Sequence, residues 1–130
     1  MSAPIKETSA MIAGMAPVLD GESYHFCVVA DDTLTAQALA SFAEDEGLTL
    51  ILSDKVAGAY DLRTDMPMRR ITLMVHSALD GVGLTAAVAT ALSEAGIPCN
   101  MVAAFHHDHA FVPDHQADKA LAVLEQLAKG

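Results

Sequence analysis

Residues 70–113 read RRITLMVHSALDGVGLTAAVATALSEAGIPCNMVAAFHHDHAFVP, and the fold turns on how this stretch is divided. Ile71 to Val75 is apolar and β-branched, which predicts a strand. Ser77 to Gly83 then places two glycines and Asp80 between that strand and a helix over 83–95. The helix carries Leu84, Ala87, Val88, Ala91 and Leu92 on one face, and Gly96 stops it. A second strand runs over 98–105, turns through His106-His107-Asp108, and returns as His109-Ala110-Phe111-Val112.

Downstream, Asp114 is the expected N-cap of an amphipathic helix with Ala117, Ala120, Leu121, Leu124 and Leu127 on its apolar side. Strand-helix-strand-strand-helix is most of a ferredoxin-like βαββαβ sandwich, an α+β fold whose helices cover one face of an antiparallel sheet. The fourth strand is missing after Ala128. An open sheet edge is a liability, so residues 24–30 or a second chain should fill that place.

Upstream, a short helix over 5–15 has Ser9 as its candidate cap. Asp20-Gly21 reads as a turn into a strand over 24–30. Asp31-Asp32-Thr33 would cap a helix carrying Leu34, Ala38, Leu39, Phe42 and Ala43, ending in Glu44-Asp45-Glu46 before Gly47. Residues 48–52 form the next strand, and 54–60 a helical turn before the connector to Pro67. Because Glu46-Gly47-Leu48-Thr49 follows its helix as Ala95-Gly96-Ile97-Pro98 follows the later one, the chain divides into two related units, residues 1–66 and 67–130, the first divergent.

Composition limits the function. A net charge of −10 disfavours nucleic acid and anionic membrane surfaces, and Arg69-Arg70 is too small a basic pair to reverse that. At 130 residues and 52% hydrophobic, the chain supports one ordinary core or two small units sharing one. Cys27 and Cys99 are far apart among apolar neighbours, which predicts buried thiols in a reducing cytoplasm. No uninterrupted apolar run reaches membrane length.

The chemistry that the sequence offers gathers at one rim. A ferredoxin-like order puts His109 near His76, beside the loop 77–83. There the N–H groups of Gly81, Val82, Gly83 and Leu84 would receive a carboxylate, and Asp80 or Asp108 an ammonium group, as an α-amino acid requires. The glycines equally suit the backbone of a tight strand-to-helix turn. A metal set of His76, His107 and His109 ranks below a solvated polar hairpin, because no dedicated ligand spacing is present. His25 reads as a packing residue and His115 as a surface one. Ser77 beside His76 does not make a catalytic pair, and the acidic runs 31–32 and 44–46 read as capping and helix-end charges with nothing to separate their pKa values.

Ile71-Thr72-Leu73, Val75-His76-Ser77, Val82-Gly83-Leu84-Thr85-Ala86-Ala87, Gly96-Ile97, Asn100 with Val102-Ala103, and His107-Asp108-His109 with Phe111-Val112-Pro113 together resemble the small bacterial tandem ACT-domain proteins. Residues 18–60 resemble the divergent first unit of that family. The resemblance implies a regulatory βαββαβ module that binds amino acids between paired domains. Carried onto this chain, its ligand contacts fall on Ser77, Asp80, Gly81, Val82 and Gly83, and on Asn100 and Met101. The first unit lacks the paired glycines, which predicts no intact site there, and no catalytic domain is expected beside the two units.

The expected function is therefore a non-catalytic cytoplasmic module binding an amino acid or related small metabolite at a unit or subunit interface, as a homodimer or higher oligomer. No cofactor or metal is expected. The alternative is a protein–protein interaction module that no longer binds a ligand.

Overall fold

The computed structural model describes residues 7–75 and 82–130. In chain order its elements are α1 (Thr8–Ala13), β1 (Pro17–Val29), β2 (Ala40–Glu44), β3 (Gly47–Ser53), α2 (Asp54–Ala59), β4 (Met68–Leu73), α3 (Leu84–Glu94), β5 (Asn100–Ala103), β6 (Asp108–Pro113) and α4 (Ala117–Lys129). The strands form one antiparallel six-stranded sheet in the order β2-β3-β1-β4-β6-β5.

The strand beside β4 is β1, but residues 17–24 fill that place and not the expected 24–30, because β1 is longer than the sequence predicts. Its first half pairs with β4, from Pro17 opposite Leu73 to Tyr24 opposite Met68. Its second half pairs with β3, from Tyr24 opposite Ser53 to Val29 opposite Leu48. Asp20-Gly21 is thus not a turn before the strand. The register shifts between Leu19 and Ser23, so these residues form a bulge within it.

The helix predicted over 34–43 does not exist. A single 3-10 turn, Thr35–Gln37, is followed by β2, which pairs with β3 through a hairpin closed at Glu44 and Gly47. Alanine and leucine at helix-compatible spacing carry no signal of the strand. The edge of the apolar strand 48–52 needs backbone partners, and residues 40–44 supply them. Asp31 caps no helix: its Oδ1 accepts from the N–H and hydroxyl of Thr33 within a turn. Those bonds hold its carboxyl below the usual range, so this acidic pair is not featureless. Glu44 to Glu46 is a hairpin end and turn, and Thr49 donates to Glu44 across it.

Consequently the strand-helix-strand repeat fails in the first unit, where a hairpin stands between β1 and α2. Two predicted caps also move. Glu7, not Ser9, caps α1, accepting from the N–H groups of Ser9 and Ala10. Asp114 opens a 3-10 turn ahead of α4 and instead accepts from Ser23 Oγ at 2.7 Å, tying β1 to the last helix.

Helices α1, α3 and α4 cover one face of the sheet over Ile71, Leu73, Ala110 and Val112. Met11 and Met15 of the N-terminal segment are fully buried in that core. Under α2, Leu50, Leu52 and Ala57 form a smaller cluster. Alternation along the strands sends Tyr24, Phe26, Ile51, Met68 and Phe111 to the opposite face, which carries no helix among the described residues. There Phe111 makes edge-to-face contacts with Tyr24 and Phe26, at centroid distances of 6.0 and 5.2 Å.

Candidate functional site

Strand β4 ends at the rim where α3 begins. Ser77, Asp80 and Gly81, the centre of the predicted ligand loop, lie outside the described residues, as does His76 of the predicted metal set. Around them the geometry is defined. His109 stands opposite Thr72 in the β4–β6 ladder, and its Nδ1 lies 2.9 Å from Thr72 Oγ1. His107 Nδ1 lies 3.4 Å from the carbonyl of Val75. The HHDH turn and the end of β4 therefore share one rim, as the sandwich topology requires.

Gly83 is the N-cap of α3 at φ 103°, and its residue type supplies no side chain to cap the helix. Its geometry has a steric cause as well: a Cβ there would come within 2.7 Å of Thr8 Cγ2, and Thr8 donates to the carbonyl of Val82. The first residue of α1 thus packs against the opening of α3. Val82, 75% exposed, is the outward-facing residue of this opening, whereas the Leu84 side chain is buried in the core and leaves only its backbone for a ligand.

The other predicted contacts separate. Asp108 begins β6 at the rim, opposite Ala103. Asn100 is exposed but pairs with Phe111, level with Arg70, roughly 10 Å along the strand from the rim at the usual rise per residue. Met101 packs against the helix-side core. Within one chain the structure does not bring Asn100 and Met101 to the opening of α3.

Electrostatics at the rim favour a neutral imidazole. Burial of His109, then the charges of Arg70 and His107, hold its pKa below the ordinary value against an opposing pull from Asp108. Among the described residues no group of three or more His, Cys, Asp or Glu is placed to hold a metal ion. Cys27 and Cys99 are free and half-buried in different clusters, and burial pushes both thiols up.

Two polar networks escaped the sequence reading. Arg70, noted there only as part of a small basic pair, reaches Asp20 Oδ2 at 3.1 Å and lies 5.7 Å from the Tyr24 ring centroid. Burial opposes the charge on Asp20, but the Tyr24 hydroxyl, the Glu22 N–H and Arg70 together hold its carboxyl below the usual range. Burial, followed by the Asp20 carboxylate, pushes the Tyr24 hydroxyl upward. The bulge that carries Asp20 to this position leaves no signal beyond an Asp-Gly pair.

His25, read as a packing residue, is only 2% exposed and fully used for hydrogen bonding. Its Nδ1 accepts from the Thr64 N–H at 3.0 Å, so Nε2 carries the proton and donates to Asp54 Oδ1 at 2.9 Å. Asp54 also receives a two-pronged contact from Arg63. This set anchors the connector between the units and leaves no ring nitrogen for catalysis.

Comparison with known proteins agrees with this architecture. Models of the ACT domain match residues 3–69 and 67–126. A solved structure of a Vibrio cholerae protein of unknown function, described as a possible transport protein, is 42% identical, with a TM-score of 0.80 over 89% of this chain and 92% of that one. An Agrobacterium tumefaciens protein at 20% identity has a TM-score of 0.62, covering 82% of this chain and 83% of its own. The ligand-free regulatory subunit of aspartate kinase from Thermus thermophilus shares the fold at 11% identity, with a TM-score of 0.62 over 88% of this chain and 98% of that one. No curated protein matches the chain. With two adjoining matches spanning nearly its whole length, the chain belongs to the ACT-domain family and carries two such domains in tandem.

Proposed function

We propose that this protein is a non-catalytic regulatory module that binds an amino acid or a similar small metabolite where α3 opens in the second unit, residues 67–130. The observation that carries this reading is the helix opening itself. In an ACT domain, α3 begins at a residue with no capping side chain, so its first N–H groups and the positive end of its dipole suit a carboxylate. Val82, Gly83 and Leu84 would contribute backbone donors, together with Ser77, Asp80 and Gly81. Asp80 or Asp108 would receive the ammonium group.

Asn100 and Met101 belong to the proposed site only if a neighbouring unit or subunit supplies them, because within one chain they stand away from the rim. The reading therefore includes a homodimer or higher oligomer. Its location would be the cytoplasm, in keeping with free thiols and with described helices too short or too polar to cross a membrane.

Isothermal titration of the full chain against the twenty amino acids tests this. Saturable heat with at least one is expected. Val82→Asp, which puts a negative charge at an exposed position without backbone strain, should weaken binding about tenfold or more. A folded protein that binds none of the twenty overturns the proposal. Gly83→Asp is a poor substitute, since Thr8 and the positive φ would penalise it even without a ligand.

A further inference from the structure

Two hollows adjoin on the helix-free face of the sheet. The larger, about 220 Å³, is walled mainly by apolar groups including Phe26 and Phe42. The smaller, about 110 Å³, has Arg70 and His109 as the polar members of its wall. Ala40, Ile51 and Val102 line both, so the hollows lie side by side. Ala40 belongs to β2 and Val102 to β5, the two opposite edges of the sheet. The sheet curls far enough for its edges to share one cleft.

The polar end has a specific vacancy in its hydrogen bonding. Among the described residues Arg70 Nε is buried and has no partner, although Nη2 bonds Asp20 and the guanidinium stands near Tyr24. Arg70 makes this end of the cleft cationic, and a carboxylate oxygen is the strongest natural acceptor for a guanidinium. Among the described residues neither wall contains a carboxylate, so an ammonium group would find no ionic partner on them.

We infer that this cleft is a second binding site, for a monocarboxylate with an unbranched or aryl apolar tail. The carboxylate pairs with the Arg70 guanidinium at the smaller hollow, and the tail lies against Phe26, Ile51 and Phe42 in the larger one. His109 contributes a second donor from Nε2 when the Thr72 hydroxyl donates to its Nδ1. A ligand held this way touches both edge strands, and so joins the two ACT units across the open face. The site uses no residue of the α3 opening and stands or falls independently of it.

Octanoate, below its micelle concentration, is the probe, titrated into the full chain by calorimetry and by amide chemical shifts. One molecule per chain is expected to bind saturably, shifting amides at Ala40, Ile51, Val102 and His109. Octanol should bind about tenfold or more weakly, and octylamine more weakly still. Arg70→Lys keeps the charge but removes the planar guanidinium fork, and should cost about tenfold. Val102→Phe fills both hollows and should abolish binding. Ala40→Leu fills the same space from the other edge and replaces it if that variant fails to fold.

Absence of saturable octanoate binding overturns the site. Octanol binding as tightly as octanoate, or Arg70→Lys without effect, overturns the assignment of the carboxylate end. Undiminished binding by a folded cleft-filling variant overturns its location.

Discussion

Gly83 and Gly96 both hold left-handed backbone, at φ 103° and 75°, but their surroundings differ. A Cβ at Gly96 meets open space, whereas one at Gly83 strikes the Thr8 side chain. Gly96→Ala should therefore cost only the left-handed penalty, roughly 1–2 kcal/mol. Gly83→Ala should cost more, and in a Thr8→Ala background the excess should disappear. Urea unfolding of the two singles and the double variant measures this, and equal costs for the two glycines would refute the steric role of Thr8. The sequence showed that residue 83 is a glycine in a turn. It did not show that a residue 75 positions away makes glycine necessary.

At the scale of elements, the clearest departure is β2. Residues 34–46 offer alanine, leucine and a closing acidic run, all suited to a helix, and local preference alone cannot decide between helix and strand there. The unpaired edge of β3 decides it. Ala43 lies exposed on β2, opposite Leu48, so Ala43→Val tests the outcome directly. In a strand this change should be neutral or stabilising by up to about 1 kcal/mol. In a helix it would cost about 0.5 kcal/mol, and a clear loss of thermal stability would contradict the hairpin. By contrast α3, β6 and α4 were legible because each combines a strong apolar period with a stop or turn signal. Their partners lie close in sequence.

On the scale of the whole molecule, β1 is the element that makes two units into one sheet, since its halves pair with β4 and β3 respectively. Separating the chain between residues 66 and 67 would deprive the second unit of its fourth strand and expose the edge of β4. The isolated 67–130 fragment should lack a cooperative thermal transition, and adding the 1–66 fragment should restore one, as circular dichroism would record. Cooperative folding of 67–130 alone would show that β1 is dispensable to it.

The sequence by itself determined the α+β class, the second unit's element order and the ACT-like string, because these rest on periodicity and turn chemistry within short spans. The tertiary structure decided the hairpin in place of the first helix, the bulge that brings Asp20 to Arg70, the closure of His25 with Asp54 and Thr64, and the cleft shared by opposite sheet edges. Each of these is settled by a partner distant in the chain or by the curl of the sheet. Pairing a strand edge and satisfying buried polar groups are conditions on the folded whole, and no local pattern encodes them.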